Sequence, residues 1–252
     1  MGQRGTDVAK QAADMVLLDD NFVTIRAAVA EGRGIFDNIR KFVNYLLSAN
    51  AGEVLVVFLG VLVGSALFPT QFAANQEALI LTPVMLLWIN LVTDGLPALA
   101  LGADPKADDV MEREPRDSDE GVISRRMVVS ILGIGGIMTL TGLILFFYGL
   151  VTVGSLIAAQ TILFTFLVVV EVVRIQVIRR RYGHGITSNK WLIGAIATTI
   201  GLQLAVLYSP LNRFFRVAPL DSGEWVLVFV GFVGFLVLNL VYARTVEDRF
   251  AE

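Results

Sequence analysis

Six long apolar segments constrain this chain more than any other feature of its sequence. Each is roughly 20 residues long, the length that an α-helix needs to cross a hydrocarbon core of about 30 Å. The 252 residues are 55% hydrophobic, and the charged residues are concentrated in short blocks between the segments. We therefore predict an all-α polytopic membrane protein. Its spans are expected at about residues 41–64, 83–103, 127–149, 157–178, 191–208 and 224–243.

The first span is predicted to be the inner half of a much longer helix. Apolar residues keep helical spacing from about residue 21 to 64, and no proline interrupts the chain before Pro69. At 1.5 Å per residue such a helix is roughly 60 Å long, twice the thickness of the membrane. Residues 21–40 are therefore expected to form a stalk outside the membrane.

Residues 1–20 precede the stalk and have the composition of a soluble segment. The apolar run bracketed by acids at 14–20 predicts a buried strand, and Asp20 or Asn21 is a suitable N-cap for the helix that follows. One strand cannot form a domain. We interpret residues 1–20 as the C-terminal remnant of a larger α/β domain.

The loops predict the orientation of the spans. The connections at 65–82 and 150–160 contain no Lys or Arg, whereas those at 104–126 and 179–190 are rich in both. Because basic loops stay in the cytoplasm, we expect the N-terminus, the two basic loops and the C-terminus to be cytoplasmic. Membrane lipid is an expected partner, and no feature indicates nucleic-acid binding.

Three carboxylates lie inside apolar spans: Glu53, Asp94 and Glu171. A charged residue at the centre of a span costs about 2.5–3.5 kcal/mol on insertion scales, so such residues are functional candidates by default. The alternative is that each is a hydrogen-bond partner between helices. Further oxygen donors accompany them: Asn50 lies three residues before Glu53, and Asn90 and Thr93 share a helical face with Asp94.

This set of oxygens indicates a hard cation such as Ca²⁺, which takes about six to eight oxygen ligands. The absence of cysteine and of intramembrane histidine disfavours zinc and copper. Gly95 and Pro97 follow the second acid directly, and both weaken a helix. We expect the helix to open there and to free carbonyl oxygens as further ligands.

Three features of the loops have weaker interpretations. His184 is expected to be an ordinary solvated residue. The basic triplet Arg179–Arg181 is interpreted as a topology signal in preference to a site for anionic lipid. The acidic loop at 104–120 is either a solvated connector or a contact for cytosolic residues outside this chain.

Several segments resemble type II P-type ATPases, in particular the sarcoplasmic-reticulum type of calcium pump. Residues 1–10, 14–17 and 19–22 resemble the end of the phosphorylation domain of that family. Asn50-Ala51-Gly52-Glu53 is similar to its fifth transmembrane helix, and residues 87–97 are similar to its sixth. The resemblance implies six calcium ligands, with Asp94 shared between two sites: Asn50, Glu53, Asn90, Thr93, Asp94 and Glu171.

The resemblance also implies an activity for the longer protein. Such pumps export Ca²⁺ from the cytoplasm, with protons expected as counter-ions, and use Mg²⁺ and ATP to phosphorylate an aspartate in the motif Asp-Lys-Thr-Gly. That motif is absent here, so this chain resembles the C-terminal part of a pump, whose missing N-terminal part is an expected partner. Alone it should not hydrolyse ATP. The alternatives are a passive cation-binding or regulatory membrane protein, and a pump of the same family for manganese or another cation.

Arg174 departs from the two-calcium pattern. It lies three residues after Glu171, where its guanidinium is able to pair with that carboxylate as a built-in cation and leave room for one calcium. Alternatively its side chain extends toward Arg179 and the headgroups and leaves Glu171 available for a second calcium. The sequence permits either arrangement, and the extended one is preferred.

Overall fold

The computed structural model describes residues 2–73, 79–115 and 121–246, and these contain helices and no strand. Six helical segments of the described residues are long and apolar enough to span a membrane, as predicted. The helices are α1 Asp7–Gln11, α2 Phe22–Leu67, α3 Pro69–Ala73, α4 Pro83–Trp88, α5 Gly95–Gly102, α6 Arg125–Val153, α7 Leu156–Arg180, α8 Lys190–Tyr208, α9 Asn212–Phe215 and α10 Ser222–Thr245.

The long first helix is confirmed. α2 runs without interruption through 46 residues, and Asn21 caps it by accepting a hydrogen bond from Val23 N at 3.0 Å. The strand predicted at 14–20 is wrong: those residues are non-helical, and all but a few are exposed. A strand needs a partner strand to satisfy its backbone groups, and among the described residues a single backbone hydrogen bond, from Gly2 N to Leu17 O at 2.7 Å, joins the segment to residues before it. Asp20 instead accepts hydrogen bonds from Gln3 N and Arg4 N.

The bundle is organised around α7, the most buried of the spans. α6 packs against both α2 and α7, and α10 covers the outer side of α6 and α7. The contact between α2 and α6 is close because two glycines meet there: a Cβ on Gly135 would lie 3.2 Å from Gly52 N. Thr139 Oγ1 donates to Gly52 O in the same contact, at 3.3 Å.

The second span is irregular where its polar residues lie. α4 leads into a π-helical turn at Ile89–Thr93, and α5 continues from Gly95. Asp94 N therefore bonds to Ile89 O, five residues back, at 2.8 Å. The helix is widened one turn before Gly95 and remains wound through Pro97. The prediction that it opens at Gly95 and Pro97 themselves is therefore wrong in position. π turns of this kind are frequent at functional sites.

The loop after α5 folds back onto the stalk half of α2. Arg113 Nη1 lies 2.7 Å from Asp37 Oδ2, and Lys106 Nζ lies 2.6 Å from Glu31 Oε2. Arg33 Nη1 donates to Val110 O at 2.9 Å. Residues 104–115 are therefore anchored on the stalk, although more than half of them remain exposed; residues 116–120 lie outside the described part of the chain.

Candidate cation site within the membrane

Asp94 is held at the π turn between the second span and α2. Its side chain is 1% exposed, and its Oδ1 accepts a hydrogen bond from Tyr45 Oη at 3.2 Å. The same hydroxyl lies 3.4 Å from Thr93 O, a carbonyl that Pro97 is unable to bond because it lacks an N–H group. Asp94 Oδ2 and Thr93 Oγ1 are buried and have no hydrogen-bond partner. The turn therefore presents two uncommitted oxygens.

Glu53 faces the second span from α2. Its Oε2 accepts a hydrogen bond from Asn90 Nδ2 at 2.8 Å, whereas its Oε1 is buried without a partner. Asn50 and Asn90 line a groove of about 630 Å³ beside it, and the remaining walls of that groove are mostly apolar side chains of α2 such as Val57 and Phe58. Asn90 is exposed at this groove, so the site is open on one side.

Glu171 lies on α7 and pairs with Arg174 on the same helix. Arg174 Nη1 is 3.1 Å from Glu171 Oε1, and both side chains are only 1% exposed. Nη2 of Arg174 donates to Tyr45 O at 2.6 Å and to Ser48 Oγ at 2.8 Å. The preferred extended arrangement of Arg174 is therefore wrong: two acceptors on α2 draw the guanidinium into the bundle, toward Glu171.

The three carboxylates come from three segments: Glu53 lies on α2, Asp94 at the end of the π turn and Glu171 on α7. Among the described residues, no three His, Cys, Asp or Glu side chains are grouped closely enough to enclose a metal ion by themselves. The guanidinium of Arg174 lies beside Glu171, 3.1 Å from its Oε1. The uncommitted oxygens thus come from separate helices: Glu53 Oε1, Thr93 Oγ1, Asp94 Oδ2 and Glu171 Oε2.

Tyr45 and Ser48 are the residues that sequence reasoning missed. Tyr45 donates to Asp94, and its carbonyl, together with Ser48 Oγ, fixes Arg174. A signal was present, because Lys41, Tyr45 and Ser48 are spaced i, i+4, i+7 and so share one face of α2. That face is fully buried.

A second buried polar cluster lies where the stalk enters the bundle, centred on Asp104. Its carboxylate accepts from Lys41 Nζ and Arg179 Nε, each at 2.8 Å, and from Asn189 Nδ2 at 3.0 Å. Burial raises the pKa of Asp104, but the hydrogen bonds of Lys41 and Asn189 and the charges of Lys41 and Arg179 outweigh it, so the pKa lies below its ordinary value. The cluster joins α2 to the loops after α5 and α7.

The prediction that His184 is an ordinary solvated residue is corrected by this cluster. Arg179 is 0% exposed and is a partner of Asp104, whereas its interpretation as part of a topology signal stays a prediction. His184 is also buried, and its Nε2 lies 3.7 Å from Asp104 Oδ2. Burial and the charge of Lys41 lower the pKa of His184.

Six apolar helices, with acids and amides beside a π turn, are the features of a multi-pass membrane protein with a candidate cation site. Residues 78–244 match the family described as "Cation transporting ATPase, C-terminus". That match covers more than half of the chain, and the chain belongs to this family.

The relatives of the chain agree with this assignment. It is 40% identical over 235 residues to a calcium-transporting ATPase of Bacillus subtilis (strain 168), covering 90% of this chain and 25% of the relative. It is 37% identical to the endoplasmic reticulum-type calcium-transporting ATPase 3 of Arabidopsis thaliana, covering 89% of the chain and 24% of the relative. A probable cation-transporting ATPase F of Mycobacterium bovis is 37% identical, with 91% and 24% covered. The chain thus spans about a quarter of the length of these relatives.

Proposed function

We propose that this chain is the ion-binding membrane part of an ATP-driven pump that exports Ca²⁺ from the cytoplasm. The observation that carries the proposal is the set of four buried oxygens without hydrogen-bond partners, contributed by Glu53, Thr93, Asp94 and Glu171. A buried polar atom without a partner costs about 1–3 kcal/mol, so a ligand that satisfies these atoms is favoured. Its relatives include proteins named as calcium-transporting ATPases.

Calcium suits this donor set better than a transition metal. The donors are carboxylate, hydroxyl and amide oxygens, and the flexible geometry of Ca²⁺ tolerates ligands that come from separate helices. Asn50 and Asn90 supply amide oxygens at the edge of the groove beside Glu53. Manganese accepts similar ligands. Ion selectivity is therefore a direct outcome of the transport experiment below.

Arg174 sets the number of ions in this proposal. If Glu53, Asp94 and Glu171 are ionised, the guanidinium reduces their combined charge from −3 to −2, which matches one Ca²⁺. The guanidinium already binds Glu171 at 3.1 Å and is held from behind by Ser48. We infer that it takes the place of one calcium and that the pump carries one Ca²⁺ per cycle.

The energy for transport is proposed to come from parts of the protein that precede this chain. The family resemblance assigns Mg²⁺, ATP and the phosphorylated aspartate to those parts, so the 252 residues alone should not hydrolyse ATP. The open groove beside Glu53 and Asn90 is the proposed docking place for a missing helix, since its walls are apolar and its end carries ion ligands. The basic loops and both termini are proposed to be cytoplasmic.

Protons are the proposed counter-ions. Carboxylates that lose their cation in a low-dielectric site favour the protonated form, so the empty site should return carrying protons. The prediction is that ATP-driven calcium uptake acidifies the compartment that calcium leaves. A pH-sensitive dye on that side of the vesicle membrane measures the exchange.

The transport experiment uses the complete polypeptide encoded by the gene, reconstituted into proteoliposomes. Calcium uptake should require ATP, and Asp94→Asn should abolish it because the substitution keeps the volume but removes the charge. Phosphorylation by ATP should then no longer respond to calcium, whereas phosphorylation by inorganic phosphate should survive. Calcium flux without ATP would favour the passive alternative, and preferential uptake of manganese would reassign the cargo.

The stoichiometry is tested by equilibrium calcium binding to the same polypeptide. Wild type should bind one ion, and Arg174→Ala should bind two because Glu171 is released. Arg180→Ala is the matched control, since Arg180 is an exposed residue of the same helix. A wild-type ratio of two that Arg174→Ala leaves unchanged would show that Arg174 is not the occupant.

A further inference from the structure

A basic cavity lies at the stalk end of the bundle, away from the carboxylates of the cation site. It encloses about 290 Å³ between α2, α6 and the end of α7. Arg40, Arg126 and Arg181 line it, one from each of these three parts of the fold. Its volume is at the lower end of the range of about 300–1,000 Å³ found for ligand pockets, which suits a small group.

The polar surroundings of the basic cavity favour an anion. Ser124 and Ser130 contribute hydroxyls to its lining, and no carboxylate from the described part of the chain lines it. α6, a helix of 29 residues, begins at this place, so the positive end of its dipole adds to the arginine charges. Guanidinium groups bind phosphate oxygens in a planar, bidentate geometry.

Neighbouring side chains hold two of the arginines in position. The guanidinium of Arg40 lies over the ring of Phe36, 5.8 Å from its centroid, and Arg181 Nη1 donates to Ser130 Oγ at 3.4 Å. Asn44 contributes a buried acceptor, because its Oδ1 has no hydrogen-bond partner. A ligand that combines a phosphate with a hydroxyl or ammonium donor would contact the arginines and also satisfy this oxygen.

The basic cavity also lies at the level of the membrane surface. Arg126 is the second residue of the span formed by α6, and Arg181 directly follows the span formed by α7. Arg40 marks the predicted entry of α2 into the membrane. Basic pockets between transmembrane helices at this depth are suited to phospholipid headgroups.

From these observations we propose that the basic cavity is a binding site for a phosphate group, supplied by the headgroup of an anionic phospholipid in the leaflet on the stalk side. The proposal does not depend on which ion the protein transports. A phosphodiester reaches the three arginines from the headgroup layer, while the acyl chains extend into the surrounding lipid. Free inorganic phosphate has the same binding chemistry, and the experiment separates the two sources.

The test is native mass spectrometry of the complete polypeptide in a neutral detergent. Phosphatidylglycerol should remain bound as one lipid per protein, and phosphatidylcholine should bind at least ten-fold more weakly. In the double variant Arg126→Gln/Arg181→Gln, the affinity for phosphatidylglycerol should fall about 30-fold. Arg126→Lys keeps the charge but not the bidentate geometry, so its affinity should lie between that of wild type and that of the double variant.

The matched control is Arg125→Gln/Arg180→Gln, which removes two neighbouring exposed charges that do not line the basic cavity. Its lipid binding should change less than three-fold. Equal losses in both double variants, or no loss in Arg126→Gln/Arg181→Gln, would overturn the proposal. A thermal unfolding curve for each variant shows whether a loss of lipid binding reflects misfolding. If the double variant is misfolded, the lipid affinity of Arg126→Lys is compared with that of wild type instead.

A titration with inorganic phosphate identifies the source of the phosphate group. If millimolar phosphate leaves the bound phosphatidylglycerol in place, the lipid headgroup is the ligand as proposed. If phosphate binds alone with the same arginine dependence and displaces the lipid, the site is a free-anion site and the lipid assignment is overturned.

Discussion

Asp104→Asn is predicted to destabilise the fold strongly although it changes neither size nor shape. Asp104 is fully buried, and its two oxygens each receive a cation at 2.8 Å, from Lys41 and from Arg179. Asparagine would leave both cations buried without a counter-charge. Removing one partner of a buried ion pair costs about 3–5 kcal/mol, and we expect a loss in this range.

Asp109→Asn is the matched control for this prediction. Asp109 pairs with Arg113 at 2.8 Å, but the two side chains are 58% and 36% exposed. An exposed ion pair is screened by solvent and adds little to stability, so nearly all of the loss of about 3–5 kcal/mol expected for Asp104→Asn should remain as the difference between the two variants. The measurement is the free energy of unfolding of the complete polypeptide during an SDS titration, followed by tryptophan fluorescence.

The pH dependence of stability is a second test of the role of Asp104. Because the folded-state pKa of Asp104 is lowered, its contribution to stability is present above the ordinary value of 3.8 and is lost as the pH falls through the folded value. Asp104→Asn should remove that part of the acid sensitivity. If Asp104→Asn unfolds with a free energy within 1 kcal/mol of Asp109→Asn, the ion cluster does not stabilise the fold as argued.

Two further predictions concern helix packing and pH. Gly135→Leu should destabilise the bundle by about 1–3 kcal/mol relative to Gly136→Leu. The reason is that a Cβ on Gly135 meets the backbone of Gly52, whereas one on Gly136 meets nothing within 4 Å. Equal unfolding free energies of the two variants would contradict the close contact between α2 and α6. The folded-state pKa of His184 lies below its ordinary value of 6.5, so the unfolded state binds more protons and stability should fall as the pH drops below 6.5. His184→Gln should show a shallower loss between pH 7.5 and 5.5, and identical pH profiles would show that His184 is not held neutral.

Hydrophobic patterning was sufficient to predict the six spans and the long first helix. These features depend on residues within one segment: the absence of proline before Pro69 and the helical spacing of apolar residues determine α2. The strand at 14–20 was wrong because a strand depends on a partner elsewhere in the chain. The three acids of the cation site could also be singled out in advance, since a charge inside an apolar span is rare.

The arrangement around Arg174 could not be deduced in the same way. A spacing of three residues permits either pairing with Glu171 or extension toward the headgroups. The choice is made by Tyr45 O and Ser48 Oγ, which lie 129 and 126 residues away along the chain. Burial of Arg179 and His184 likewise depends on Asp104, a partner far along the chain.

Equilibrium calcium binding to wild type, Asp94→Asn and Asp109→Asn shows whether Asp94 is a ligand of the transported ion. The complete polypeptide is incubated with radioactive calcium, and the ions bound per protein are counted as a function of free calcium. We expect one ion for wild type and for Asp109→Asn, and none for Asp94→Asn over the same concentrations. Asp94→Asn that binds calcium with the wild-type ratio and affinity would contradict the assignment of the cation site.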